Sequence, residues 1–263
     1  MSVAMIQRSQ IAFRLCALTY AGLLGLVASW LLATEIMHPK VAYFPADKAA
    51  SELAAGQRLA AHFAAEIGVM RGDLWADYAI TLLSELLTDS KNTTASAAKD
   101  LSDDTRNVAI TAAKLAPTDS RLWLLLALID QRTDWLGRGI PGPLKMSYYT
   151  GPNAVALIPT RLLIATRSAA ITDPELQELV GREIRTIVTR RPDLRPALFV
   201  AYRDALPEGR RFIEAKVGDL DRNLLASIRG SSSPRDTVQG PPGNNQQRAP
   251  TAGPTPPESV QRQ

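Results

Sequence analysis

Residues 15–33 of this 263-residue chain, LCALTYAGLLGLVASWLLA, form one stretch without a charged side chain. As an α-helix rising about 1.5 Å per residue, this stretch covers roughly 28 Å, close to the hydrocarbon thickness of a bilayer. Arg8 and Arg14 precede it, and residues 1–34 contain no acid. Basic residues beside a span stay in the cytoplasm. The sequence therefore predicts a short cytoplasmic N-terminus (residues 1–14), a transmembrane anchor (15–33) and an extracytoplasmic remainder.

A cleavable signal peptide is the alternative interpretation of the same stretch. The apolar region of a signal peptide runs about 7–15 residues and ends at a small-x-small cleavage site. Here the stretch is longer, and Leu31 stands two positions before Ala33, where a small residue is required. An uncleaved anchor is therefore favoured. The lone cysteine, Cys16, lies inside it, which excludes an intramolecular disulfide.

The chain after the anchor divides into three parts by composition. Residues 230–263 contain seven prolines and four glycines, with two valines as the only large apolar residues. Such a segment cannot bury enough apolar surface to offset the entropy of ordering, so it is predicted to be a disordered tail. Residues 34–46 are predicted to be a linker. Residues 47–229 carry apolar residues at helical spacing without the alternation typical of strands, which predicts an all-α domain.

The sequence also predicts where individual helices start and which helix is central. Asp73 and Asp173 are predicted N-caps, and Pro174 follows Asp173 in the first turn of its helix. Pro159 is predicted to kink a helix. Residues 122–131 are apolar almost all round, which predicts a central position in the packing.

A short pattern occurs twice within the helical region. Residues 74–79, LWADYA, are matched by residues 122–127, LWLLLA, each early in a predicted helix that follows an aspartate-containing turn. Predicted helices end at three prolines spaced 35 and 40 residues apart: Pro117, Pro152 and Pro192. These features resemble the junctions of tetratricopeptide repeats, whose period is about 34 residues. The resemblance implies a degenerate stack of helical hairpins with a concave binding side.

Two apolar runs carry a narrower resemblance. Residues 115–130, LAPTDSRLWLLLALID, and residues 152–163, PNAVALIPTRLL, together with the order of parts, resemble the VpsP-like accessory proteins of envelope polysaccharide biosynthesis. This resemblance implies a membrane-anchored periplasmic subunit that contacts other envelope proteins. It implies no catalytic residue.

Residue types that carry catalysis or metal binding are sparse. The two histidines, His38 and His62, are not at ligand spacing, and no phosphate-binding glycine loop, HExxH motif or calcium loop occurs. No catalytic residue, cofactor or metal site is therefore predicted, and no basic stripe with aromatic residues indicates nucleic-acid binding. Two alternatives remain open at this point. One is an envelope glycan-processing enzyme acting through two carboxylates, and the other is a structural protein that oligomerises through its anchor.

Residues 146–153, MSYYTGPN, are the first candidate for partner contact. Gly151 suits a left-handed helix cap, and Pro152 prevents the helix from continuing, so the segment is predicted to be a corner between two helices. Tyr148 and Tyr149 cannot both face the core. One is predicted to pack, and the other to expose its hydroxyl to a partner.

The second candidate is an arginine-rich segment that contains Arg182, Arg185, Arg190, Arg191 and Arg195. Arg182, Arg185 and Arg191 are predicted to contact a partner. These side chains suit an acidic glycan, a phosphate or the carboxylates of another protein. The favoured alternative is that the arginines cap helix C-termini and pair with Glu178 and Glu183.

Overall fold

The computed structural model describes residues 2–38, 52–54, 56–88, 95–133 and 138–232. Every regular element in these ranges is helical, which confirms the all-α prediction. The helices are α1 (Ser2–Met37), α2 (Arg58–Gly68), α3 (Gly72–Thr88), α4 (Ala95–Leu115), α5 (Ser120–Thr133), α6 (Pro141–Thr150), α7 (Ile158–Thr166), α8 (Pro174–Thr189), α9 (Arg195–Asp204), α10 (Pro207–Gly218) and α11 (Arg222–Ser232). Short 3-10 turns span Val155–Leu157, Ala169–Thr172 and Pro192–Leu194. Helix α11 continues to Ser232, three residues into the predicted 230–263 tail, and the rest of that tail lies outside the described residues.

The N-terminal helix α1 contains the apolar segment Phe13–Ile36, which is long and apolar enough to cross a membrane. Its large apolar side chains, such as Leu18 and Leu26, are exposed, since no other helix covers them. The helix continues through Met37, four residues into the predicted 34–46 linker. His38 follows it, and residues 39–46 of that linker lie outside the described residues.

The main hydrophobic core lies among α3 to α11 and contains no described residue of α1 or α2, although Ala61, Ala64 and Ala65 of α2 are also buried. Helix α5 is central, as its apolar sequence predicts, because it contacts α3, α4, α6 and α7. Four of its apolar side chains have no exposed surface: Leu122, Leu124, Leu125 and Ile129.

The observed helix start agrees with the sequence prediction at α8 and differs from it at α3 and α7. At α8, the Asp173 carboxylate accepts a hydrogen bond from the Leu176 amide at 3.0 Å, as a predicted N-cap. Asp73 was predicted to cap α3, which is wrong: it lies inside the first turn and its carboxylate binds Arg71 at 2.6 Å. Pro159 was predicted to kink a helix. It lies instead in the first turn of α7, where proline needs no amide partner.

The two copies of the LW pattern occupy equivalent positions. Leu74 is the third residue of α3, and Leu122 is the third residue of α5. The indole Nε1 of Trp75 donates to the Val69 carbonyl at 3.2 Å, and that of Trp123 donates to the Pro117 carbonyl at 2.8 Å. In both cases the acceptor lies six residues earlier, in the turn before the helix.

Candidate functional site

Residues 146–153 form the C-terminal half of α6 and the turn that follows it. Tyr148 is 6% exposed and Tyr149 is 51% exposed, so the predicted division between a packed and an exposed phenol is confirmed. The left-handed cap predicted for Gly151 is wrong, because its φ is −145°. A glycine is needed there for another reason: an added Cβ would lie 2.3 Å from Ser120 Oγ. The corner is thus a close approach of α6 to the start of α5.

A chain of polar side chains runs through the interior beneath this corner. Arg161, on α7, has no exposed surface. Its Nε donates to Ser147 Oγ at 3.0 Å and its Nη2 donates to the Ser147 carbonyl at 2.5 Å. Ser147 Oγ in turn donates to the Ser120 carbonyl at 2.9 Å. The guanidinium also lies over the ring of Tyr148, 4.8 Å from its centroid, a cation–π arrangement.

The phenol of Tyr148 extends this chain to α8. Its hydroxyl donates to Glu183 Oε2 at 2.6 Å, and both side chains are buried. Burial raises the pKa of Glu183 to about 7, although the Tyr148 hydrogen bond and the nearby charge of Arg161 oppose that rise. Burial, together with the Glu183 carboxylate, raises the pKa of Tyr148 well above its usual value. At neutral pH Glu183 therefore exchanges between its neutral and charged forms, while Tyr148 keeps its proton.

An open cleft of about 240 Å³ lies above Tyr148 and Glu183. The turn after α6 and the exposed side of α8 form its walls. Its lining mixes apolar and polar side chains: Tyr148, Pro152, Asn153, Val155, Ile158, Leu179, Arg182, Glu183, Thr186 and Arg190. Glu183 is the single acid among these residues, and the two arginines are both exposed. The charge at the rim of the cleft is therefore positive.

The structure separates the candidate arginines into different roles. Arg182 and Arg190 line the cleft, and within the described ranges neither guanidinium lies within 4 Å of a carboxylate. Arg185 is exposed and lies outside the cleft lining, while Arg191 pairs with Asp193 at 2.7 Å. Arg195 donates to the Val188 carbonyl at 3.3 Å and so caps the end of α8.

The favoured alternative for these arginines is therefore right for one residue only. Capping of a helix C-terminus holds for Arg195. Pairing of the arginines with Glu183 is wrong, since that carboxylate is buried and bonded to Tyr148. Glu178 is exposed, and within the described ranges no arginine lies within 4 Å of its carboxylate. The two arginines of the cleft rim remain available to an anion.

Tyr149 belongs to an exposed ionic cluster with residues from the start of α8. Its hydroxyl donates to Glu175, and the Lys145 ammonium lies 2.8 Å from the same carboxylate and 3.1 Å from Asp173. These carboxylates raise the pKa of Lys145, so the lysine stays charged. The exposed phenol is therefore tied to its own chain at the surface.

Sequence reasoning missed Arg161 and the role of Glu183. Arg161 is the single charged residue in the apolar run of residues 152–166, which is the signal that marks it. A charge on an apolar helix must be paired or bonded when it is buried. Glu183 carries no comparable signal, because acids and arginines alternate along α8.

The other clefts described here carry different chemistry. One of about 560 Å³ between α2 and α3 contains Glu85, which pairs with Arg58 at 2.7 Å. Another of about 420 Å³ contains Asp103 and Arg132. Among the residues that the structure describes, the lining of each of these three clefts contains one carboxylate, whereas glycoside hydrolysis requires two. Among the described residues, no three His, Cys, Asp or Glu side chains gather closely enough to hold a metal ion.

Comparison with known proteins gives no further identification. No protein-family profile matches the chain, and neither the curated proteins nor the solved structures contain a significant match.

Proposed function

We propose that this protein is a non-catalytic binding subunit that a single transmembrane helix, α1, holds at the membrane. Its all-helical domain presents the cleft between α6 and α8 to an anionic group of a partner. One observation carries the proposal: Arg182 and Arg190 border a cleft without forming an ion pair among the described residues. Arginine is suited to carboxylates because its planar fork donates two parallel hydrogen bonds.

The electrostatics of the cleft support an anionic ligand. Glu183 is the only acid in the lining, and its raised pKa keeps part of the population neutral near pH 7. In the molecules where the Glu183 carboxylate is charged, the buried guanidinium of Arg161 lies close to it. The two exposed guanidinium groups therefore dominate the field that an approaching ligand meets.

The repeated LW pattern supports a helical-repeat architecture of the tetratricopeptide type. The equivalent hydrogen bonds of Trp75 and Trp123 indicate that α3 and α5 begin two related units. Stacked helical pairs provide extended surfaces for a segment of another protein. A membrane tether raises the local concentration of such a domain for partners in the same membrane.

The proposed compartment and partners of the protein rest on the sequence resemblance and on the basic residues that precede the apolar span. We propose that the N-terminus lies in the cytoplasm, that the domain lies in the periplasm, and that its partners belong to envelope polysaccharide biosynthesis. A periplasm-active reporter fused after residue 43 should be active, and a cytoplasm-active reporter there should be silent. The reverse pattern would overturn the orientation.

Binding to the cleft is tested with the full-length protein in lipid nanodiscs. A fluorescent oligoglutamate peptide and an oligogalacturonate serve as carboxylate probes, one for a protein partner and one for an acidic glycan. Arg182→Gln and Arg190→Gln should each weaken binding about tenfold, since a charge-assisted hydrogen bond contributes about 1.5 kcal/mol. Arg185→Gln is the matched control, because it removes the same charge from the same helix outside the cleft.

The outcomes separate the alternatives. Equal losses in all three variants would indicate a general charge effect and would contradict the cleft as the binding site. No binding of either probe would contradict the anionic ligand. The proteins that copurify with the full-length membrane form, and fail to copurify with Arg182→Gln, identify the partner.

A further inference from the structure

Polar contacts fix how the end of α1 meets the helical domain, and they include an ion pair of 3.8 Å between Arg71 and Glu35. Trp30 Nε1 donates to the Ile67 carbonyl at 2.9 Å, Arg71 Nη1 donates to Thr34 Oγ1 at 3.2 Å, and His38 Nε2 lies 3.0 Å from Asp77. Trp30 and Thr34 are four residues apart on one face of α1, and His38, the residue after its end, continues the same spacing. This docking stripe packs against the α2–α3 hairpin.

The order of these contacts gives the direction of each helix. Arg71, just before α3, contacts Thr34, and Asp77, further along α3, contacts His38. Both segments of the chain therefore advance in the same direction, and α1 and α3 are parallel. Helix α2 runs the opposite way, because Arg58 at its start contacts Glu85 near the end of α3. The turn between α2 and α3 is therefore the part of the domain nearest the middle of α1.

This turn lies at the level of the apolar span. Trp30 is six residues before the end of the segment Phe13–Ile36, a depth of about 9 Å along the helix. Beyond Ile67, the turn exposes Val69 (63%) and Met70 (81%), two apolar side chains. A membrane crossed by α1 would reach them.

The face of α2 adjoining the turn is also apolar. Phe63 is 55% exposed and Leu59 is 71% exposed, one and two helical turns above Ile67. Glu66 lies on the same face and is exposed. Side chains of an α-helix lean toward its N-terminus, which for α2 is the direction away from the span, so this carboxylate is directed toward water.

We infer that the α2–α3 turn and the lower face of α2 insert into the interface of the bilayer that α1 crosses. The inserted side chains are Val69, Met70 and Phe63, and the ligand is the boundary between headgroups and acyl chains. Helices with an exposed apolar face bury it about 5–10 Å deep at such a boundary. The inference rests on the proposed membrane anchor, and it adds a second membrane contact that fixes the tilt of the domain.

The test measures depth at four positions of the full-length protein in phosphatidylcholine–phosphatidylglycerol nanodiscs. Cys16→Ser provides the background, and single cysteines at Met70, Phe63, Leu59 and Thr88 carry an environment-sensitive fluorophore. Brominated lipids should quench Met70 most, Phe63 less and Leu59 least. Thr88 ends α3 far from the turn and should be quenched only by iodide in the water.

A fifth label at Leu24 distinguishes failure of the inference from failure of the anchor. Quenching by lipid at Leu24 together with iodide quenching at Met70 and Phe63 would overturn the interfacial contact alone. Absence of lipid quenching at Leu24 would overturn the anchor as well. Protection of Met70 and Phe63 from both quenchers would show that protein covers this face, which also overturns the inference.

Discussion

Tyr148 and Glu183 share a hydrogen bond of 2.6 Å between α6 and α8, in the interior directly beneath the cleft. The bond joins a carboxyl whose pKa burial raises to about 7 to a phenol whose own pKa is raised well above normal. The floor of the cleft therefore changes charge near neutral pH through the carboxyl alone.

The stability of the protein should fall as pH rises from about 4.5 to about 7. In that window the folded state holds the Glu183 proton while the unfolded state, with an ordinary pKa of 4.5, has released it. The contribution is fully present below the unfolded pKa and is lost at about 1.4 kcal/mol per pH unit, about 3 kcal/mol in all. Asp77, whose pKa burial raises to about 6, acts in the same direction at lower pH.

Denaturant unfolding of Glu183→Gln at pH 5, 6, 7 and 8 checks this expectation. The variant should lose the decline above pH 6, where Asp77 no longer contributes. Glu178→Gln, an exposed site on the same helix, should keep it. An unchanged slope in Glu183→Gln would mean that another group carries the dependence.

Gly151→Ala should destabilise the protein by about 1–3 kcal/mol, because its Cβ would collide with Ser120 at the α5–α6 approach. The matched control is Gly142→Ala, near the start of the same helix, where an added Cβ meets nothing within 4 Å. Thermal unfolding of the two variants should differ clearly. Equal stability would show that the corner relaxes without cost.

Local signals predicted most of the helical architecture. The Asp173–Pro174 pair predicts the start of α8, and the continuous apolar run predicts the central position of α5. These features depend on residues close in sequence, where capping and periodicity act. The predicted kink at Pro159 is wrong because proline kinks a helix when it lies in the interior, whereas Pro159 lies in the first turn of α7.

The cleft, and the docking of α1 on the α2–α3 hairpin, depend on contacts between residues distant in sequence. Tyr148 and Glu183 are 35 residues apart, and Trp30 and Ile67 are 37 residues apart. No local pattern brings such pairs together, so the sequence identified the tyrosines and arginines without arranging them. The four-residue spacing of Trp30, Thr34 and His38 was a readable signal for a docked face of α1. The linker predicted for residues 34–46 divides this spacing, so the prediction from sequence does not include the docked face.

Arg161→Met should cost about 3 kcal/mol, because it removes hydrogen bonds and a cation–π contact from a fully buried network. It should also raise the pKa of Glu183 further, since the charge of Arg161 lowers it. The pH window of declining stability should then extend above pH 7. Arg185→Met, on the exposed face of α8, should change stability by less than about 0.5 kcal/mol. Urea titrations across pH distinguish both effects.

A fragment of residues 36–263 should remain helical and folded without detergent, because no described residue of α1 or α2 belongs to the main core. It should lose protection locally, since the contacts of Trp30 and Thr34 with the α2–α3 hairpin are gone. Hydrogen exchange should become faster in α2 and stay unchanged in α5 and α8. Trp30→Phe in the full-length chain is the matched control and should accelerate α2 alone. A fragment that unfolds or requires detergent would show that α1 is an integral part of the domain.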